Sequence, residues 1–206
     1  MGQKRYNDRM SVEIEKTRNI AIYLAGKIPN LYFTKFLKLL YYMDFIAVQE
    51  IGSPITNDTY FALPYGPVPS FVKDNINLLD ESNRESEASL LKTSDDGVAT
   101  EDKGVFDGYI TLKKDGGTIL EGSKDFDVTI LSGYEKKLMD DIVKTFKDVP
   151  TKEIVERTHR EPPYLQTAPN NVIDYGMAFQ LNIKEILPDR DFIFDKEISL
   201  SRFNAG

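Results

Sequence analysis

Cysteine is absent from this chain of 206 residues, and histidine occurs only once. Without cysteine there is no disulfide, no thiolate nucleophile and no zinc site that needs cysteine ligands. The chain also lacks an apolar run near the roughly 20 residues that span a bilayer, and it lacks a basic-then-apolar leader. We therefore expect a cytoplasmic protein that has no membrane partner.

Basic residues are outnumbered, with 26 Lys and Arg against 33 Asp and Glu, which gives a formal net charge of −7. Phosphate binding draws on clustered Lys and Arg, so direct contact with nucleic acid is not expected. Mild acidity suits a basic protein partner better, although it is also common in proteins without one. The hydrophobic fraction of 41% is enough for a core.

The motifs of several enzyme classes are missing. There is no nucleophile elbow, no phosphate-binding loop, no dinucleotide fingerprint and no calcium loop, and the many carboxylates have the scatter of solvated faces. His159, with Glu161 two residues on, is a candidate for acid-base work. The favoured interpretation is that its side chain hydrogen-bonds backbone in the turn before Pro162. We therefore expect no catalytic residue, no metal and no cofactor.

The richest stretch runs from Phe33 to Val72. Apolar residues repeat there at three and four, which predicts a helix with one broad buried face. The sequence Tyr65-Gly66-Pro67-Val68-Pro69, here called the corner, follows it. Each proline fixes its own φ and restrains the residue before it, and Gly66 can take a conformation that a side chain would forbid. The corner either positions a functional surface or only orients packing.

Shorter patterns predict the remaining elements. Ser11 is a plausible N-cap of a first helix, and Thr34 of the second, which Gly52 ends. We expect a strand over 59–63, a third helix over 68–80 and a hairpin around Asp115-Gly116-Gly117. Ser132 and Glu135 form a capping box that opens a helix to Phe146, a short helix follows Pro150, and residues 172–181 contain a turn or helix. The fold class is α+β: a helix-rich single domain with a small antiparallel β-sheet or hairpin.

Changes in composition along the sequence predict how the chain is divided. Residues 1–10 are predicted to be a flexible leader and 11–187 the domain. The domain carries a polar insertion at about 82–124, and 188–206 form a C-terminal tail in which 192–194 are a strand or a docked segment.

Four blocks resemble the SocA-like antitoxin family, also called the Panacea domain. They are Lys38-Leu39-Leu40-Tyr41-Tyr42-Met43-Asp44, Gly52-Ser53-Pro54-Ile55-Thr56, the corner, and Thr158-His159-Arg160-Glu161-Pro162-Pro163-Tyr164. Their order and spacing carry the resemblance. Tyr164 stands where tryptophan is common in the family, and the polar stretch over 82–124 departs from its pattern.

The resemblance implies an antitoxin of a toxin-antitoxin pair, which neutralises a cognate protein toxin by direct protein-protein binding. An alternative is a proteolytic adaptor that delivers a toxin to a Clp-type protease, and another is an uncharacterised enzyme that uses His159. Transcriptional control is disfavoured, because no basic recognition helix is evident.

Aromatic residues are dense around the corner, and a single helical face cannot bury all of Tyr41, Tyr42, Phe45 and Tyr65. Tyrosine is favoured at protein interfaces because it buries area and keeps a polar group. We therefore expect some of Tyr42, Tyr65 and Tyr164 to lie near a partner-facing groove. The full set of candidate partner-binding residues is Tyr42, Tyr65, Gly66, Pro67, His159, Glu161 and Tyr164.

Overall fold

The computed structural model describes residues 2–80, 104–191 and 202–203, with side chains from Val12 onward. The first helix, α1, spans Gly2–Lys27. It therefore includes most of the stretch predicted as a leader, and the prediction that Ser11 caps it is wrong. α2 spans Phe33–Ile51 and is preceded by Tyr32, without a side-chain cap, so Thr34 is not its cap either. Gly52 ends α2 as predicted, in the left-handed conformation at φ 76°.

α2 is the centre of the fold, and it is buried on all sides rather than on one face. Helices, both small sheets and the 3₁₀ segment near residue 178 surround it. Tyr41, Tyr42 and Phe45 all lie in the core. The expectation that the four aromatic residues would not all be buried is confirmed, because Tyr65 is 74% exposed. The three on α2 are all buried, because neighbours cover this helix on every side.

The corner belongs to a β-hairpin. Strand β1 spans Tyr60–Leu63 and pairs antiparallel with β2, Gly66–Pro69. Helix α3 then spans Ser70–Asn77, so it starts two residues later than predicted because Val68 and Pro69 belong to the strand. The other edge of β1 bonds to residues 170–173, including Ala62 N–H to Asn171 O at 2.9 Å.

A second hairpin packs against α1. β3 spans Ile110–Lys114 and pairs antiparallel with β4, Thr118–Gly122, which confirms the hairpin predicted from Asp115-Gly116-Gly117. The Leu120 N–H donates to Leu31 O at 2.9 Å and joins this hairpin to the loop between α1 and α2. Part of the predicted insertion is thus ordered sheet, while residues 81–103 lie outside the described residues.

The C-terminal half adds short helices around α2. They are α4 (Gly133–Phe146), α5 (Thr151–Thr158), α6 (Pro162–Leu165), a 3₁₀ helix (Tyr175–Gln180) and α7 (Ile183–Ile186). The capping box of Ser132 and Glu135 is present at the start of α4, as predicted.

Arg190, assigned by the prediction to the tail, is buried in the core. Its guanidinium forms ion pairs with Glu50 at 2.6 Å and with Asp141 at 2.5 Å. The predicted strand or docked segment at 192–194 lies outside the described residues. Within those residues the fold is helix-rich with two small antiparallel sheets, which confirms the predicted α+β class.

Candidate functional site

The corner requires glycine at its second position. Gly66 has φ +95°, and a Cβ atom there would lie 2.9 Å from Thr158 Oγ1 and 3.2 Å from Lys38 Nζ. Both the conformation and the lack of space exclude an ordinary side chain. The predicted need for glycine at this position is thereby confirmed, and β2 lies directly against α2 and α5.

Lys38 lies beneath the corner and has no exposed surface. Its Nζ donates to Pro67 O at 2.7 Å, across the base of the turn. No carboxylate among the described residues pairs with it. Burial lowers the pKa of Lys38 to about 7, because an enclosed charge without a counterion is unfavourable.

Asp44 fixes the connection that leads from α2 into the hairpin. It is fully buried and accepts hydrogen bonds from the Ile55 and Thr56 amides, both at 2.8 Å, and from the Tyr60 hydroxyl at 2.9 Å. Burial raises the pKa of Asp44, and these hydrogen bonds act in the opposite direction. The carboxylate thus holds the loop and β1 in place.

Asp58 holds the start of α3, the helix after the corner. Its carboxylate accepts from the amides of Phe71 and Val72, both at 2.9 Å, which are orphan donors at the start of α3. Burial raises the pKa of Asp58, against the effect of these bonds. Asp44 and Asp58 therefore fasten the two ends of the hairpin.

His159 joins the corner to α6 through an aromatic neighbour. Its ring lies 4.7 Å from that of Tyr164, centroid to centroid, and the Tyr164 hydroxyl donates to Leu63 O at 2.9 Å. His159 Nε2 is enclosed and has no hydrogen-bond partner in the described structure, so the interpretation that the ring bonds backbone is not supported at this atom. Burial and then the charge of Lys38 lower the pKa of His159.

Glu161 begins the turn into α6 and faces two tyrosines of α2. Burial raises its pKa to about 7, whereas Tyr42, Tyr41 and Arg157 act in the other direction. Glu161 Oε2 and the Tyr41 hydroxyl nevertheless lie outside hydrogen-bond geometry and have no partner in the described part of the chain. We therefore regard the tyrosines as electrostatic neighbours of the carboxyl group and not as its hydrogen-bond donors.

Three enclosed polar atoms without a partner thus occur around this site: Tyr41 Oη, His159 Nε2 and Glu161 Oε2. Such atoms are rare in folded proteins, and shifted pKa values cluster at functional sites. Burial brings the pKa of Lys38 and the pKa of Glu161 each to about 7. Lys38 has no exposed surface with which to reach a substrate, however, so the arrangement suits a positional role better than turnover.

A groove of about 540 Å³ lies between the turn from α5 into α6 and residues 180–186. Arg157, Glu161, Leu181, Glu185 and Tyr42 are among the residues that line it. Tyr42 itself is only 1% exposed, because its ring stacks on Phe146 at 5.1 Å.

The structure separates the seven predicted partner-binding residues into three groups. Tyr65 is the one that projects fully, being 74% exposed. Tyr164, His159 and Glu161 are half-buried beside it, and Gly66, Pro67 and Tyr42 are buried. Only the first two groups offer surface to a partner.

The sequence reasoning missed the roles of Lys38, Asp44 and Asp58. A signal was present, because Lys38 and Asp44 are charged residues within an apolar helical run, where a charge is unfavourable unless it has a defined partner. Nothing local indicated that the partners would come from the hairpin. Among the described residues, no group of three or more His, Cys, Asp or Glu could hold a metal ion.

Residues 36–164 match the model of a protein family described as Antitoxin SocA-like, Panacea domain. The matched range runs from the first turn of α2 to α6 and includes Lys38, the corner and His159. The chain therefore belongs to the SocA-like antitoxin family, as the sequence motifs indicated. This membership supports an antitoxin role and suggests a non-enzymatic one.

Comparison with curated proteins and with solved structures gave no match. No helix of the described residues combines the length and the apolar character that crossing a membrane requires.

Proposed function

We propose that this protein is an antitoxin that neutralises a cognate protein toxin by direct binding in the cytoplasm. The binding surface is the corner face, defined by Tyr65, Leu165 and Val172. No contact with nucleic acid is part of this proposal.

The observation that carries the proposal is the exposure of these three apolar side chains on adjoining segments. Tyr65 is 74%, Leu165 65% and Val172 54% exposed. Tyr164, the neighbour of Leu165, bonds to Leu63 O at 2.9 Å, and Val172 forms a β-bridge with Phe61. α6 and the 170–173 segment thus both lie against β1, and Tyr65 lies in the turn that follows this strand.

Large apolar side chains that remain in water on neighbouring segments are typical of protein interaction sites. Tyrosine is especially suited to such sites, since it buries a large area and keeps a hydroxyl for hydrogen bonding. The hydrogen bonds of Lys38, Asp44 and Asp58 hold the hairpin that carries Tyr65 in place before binding. A hairpin that is already ordered loses less entropy on association.

The other candidate residues act in this proposal through the position of the corner face. Gly66 and Pro67 shape the turn, and Tyr164 fastens α6 to it. Glu161 and Tyr42 line the groove, and His159 is two residues from Glu161, so these residues would meet only a partner segment that enters the groove.

The proposal is tested by co-expression with the product of the adjacent gene. The wild-type protein should restore growth and co-purify with that product. Tyr65→Ser and Leu165→Ser should each weaken both effects, while Val128→Ser, which alters an exposed apolar residue outside the corner face, should weaken neither. Absence of both rescue and co-purification for the wild type would contradict the proposal.

A second measurement separates neutralisation from delivery to a protease. If direct binding is enough, the amount of the co-expressed product stays constant while growth recovers. A fall in its amount that requires a Clp-type protease would replace neutralisation with the adaptor mechanism.

A further inference from the structure

Two lysines, one turn apart on α2, are both buried, but their surroundings differ. Lys35 Nζ donates to two carbonyl oxygens after α4, those of Lys147 at 3.1 Å and Val149 at 2.8 Å. Lys38 Nζ donates to one, Pro67 O at 2.7 Å. Lys35 is fastened to α4, and Lys38 to the corner.

The environment of Lys38 suits an uncharged amine. An ammonium group has three N–H donors, and the described residues supply one acceptor. Gly66 packs so close that a Cβ atom would lie 3.1 Å from Lys38 Cε, so little space surrounds the amine. The nearby Thr158 hydroxyl is already committed to Val155 O at 2.9 Å.

The titratable groups near Lys38 would not balance a positive charge on its amine. His159 faces it from α5, and a proton on that ring would add positive charge. Tyr41 and Tyr42 follow on α2, and Glu161 interacts with those tyrosines and with Arg157. The titratable residue of the corner, Tyr65, is 74% exposed. Burial lowers the pKa of Lys38 to about 7, in agreement with this geometry.

We propose that Lys38 is the positioning residue of the corner face: its uncharged amine holds Pro67, beside the turn of the first hairpin, against α2, and uptake of a proton releases the turn. This inference deepens the proposed function, since the turn carries Tyr65. Whether Lys38 holds the turn can be measured on the isolated protein, without a partner.

The sign of the pH dependence follows from linkage. Release of the turn exposes Lys38 to water, where its pKa returns toward the ordinary 10.5 from about 7. Between these two values the open state binds the proton and the closed state does not. Each unit of falling pH should therefore raise the open fraction about tenfold, and rising pH should close the turn.

Amide hydrogen exchange on the isolated protein tests this inference. The probe is the protection factor of the peptide covering residues 60–69 between pH 7.5 and 9.5, normalised for the intrinsic exchange rate. We expect it to rise by about tenfold per pH unit in the wild type. Lys38→Met should abolish the rise, and Lys35→Met, the matched buried lysine, should retain it.

Three results would overturn the inference. They are a flat wild-type profile, an unchanged slope in Lys38→Met, and an equal rise in peptides of α4, which would show that protonation acts on the whole fold. If Lys38→Met does not fold, the ¹³Cε titration of Lys38 in the wild type decides, since a midpoint at 10.5 overturns the inference and one near 7 supports it. No toxin is needed, so failure here is distinct from failure of the proposed function.

Discussion

The Thr158 hydroxyl oxygen lies 2.9 Å from the position that a Cβ atom on Gly66 would occupy. Thr158 has little freedom to retreat, because its Oγ1 donates to Val155 O at 2.9 Å and the residue is fully buried. The corner and α5 thus meet at a point where the absence of a side chain is a structural requirement. This contact fixes the orientation of the hairpin and, with it, of Tyr65.

Gly66→Ala should therefore destabilise the protein strongly. The positive φ costs about 1–2 kcal/mol for an L-residue, and the forced contact adds about 1–3 kcal/mol, so we expect a total loss of about 2–5 kcal/mol. Urea denaturation measures the change in the free energy of unfolding.

The matched control for this variant is Gly116→Ala. Gly116 also has positive φ, at +63°, but nothing lies within 4 Å of its Cβ position. It should lose only the conformational part, about 1–2 kcal/mol. Equal losses in the two variants would show that the contact with Thr158 contributes nothing.

Asp44→Asn should loosen the connection between α2 and β1. The asparagine amide can replace one carboxylate oxygen as an acceptor, but its NH₂ group then faces donors that it cannot satisfy. We expect a loss of about 2–3 kcal/mol by urea denaturation, since hydrogen bonds to charged groups are among the stronger ones. Asp174→Asn removes a carboxylate at an exposed cap and should cost much less. The reverse order would contradict the assigned role of Asp44.

Arg190→Met should lower the free energy of unfolding, because Arg190, near the end of the described chain, is buried in the core. Removing the guanidinium leaves the buried Glu50 carboxylate without its cation, at a cost of about 3–5 kcal/mol. The double variant Arg190→Met/Glu50→Gln should recover part of that loss. The control is Lys144→Met, whose exposed ion pair with Asp189 should contribute nothing measurable. Similar unfolding of Arg190→Met and Lys144→Met would contradict the prediction.

The features predicted correctly from sequence are those encoded in contiguous residues. The capping box of Ser132 and Glu135, the turn of the second hairpin and the need for glycine at Gly66 each depend on a few neighbouring positions. Local backbone preferences are enough to specify them.

The features that sequence reasoning missed depend on distant pairs. Lys38 meets Pro67, and Glu50 meets Arg190 across 140 positions. The burial of α2 was missed for the same reason, because the spacing of its apolar residues does not show that neighbouring elements cover every side of the helix. The candidate partner-binding residues stay a prediction, and the burial of Tyr42, Gly66 and Pro67 was set by tertiary packing that the sequence does not show.

Glu161→Gln should change how stability depends on pH. In the folded protein burial raises the pKa of Glu161 from 4.5 to about 7, so the native state retains a proton that the unfolded chain releases. The stability contributed by the neutral carboxyl group is complete below pH 4.5 and is lost as pH rises to about 7.

Glutamine mimics the neutral acid at every pH. The stability of the wild type relative to Glu161→Gln should therefore fall by as much as about 3 kcal/mol across this range and stay constant above it. His159 is present in both proteins, so its titration cancels in the difference. Urea denaturation at pH values from 4.5 to 8 measures the effect.

Glu185→Gln is the control, because it removes an exposed carboxylate at the same groove and changes the net charge equally. Its difference from the wild type should not follow the profile of Glu161→Gln. If wild type and Glu161→Gln instead give parallel curves from pH 5 to 8, the enclosed Glu161 carboxyl group is ionised throughout. Glu161 would then carry a negative charge at neutral pH, and this charge would favour the protonated form of Lys38.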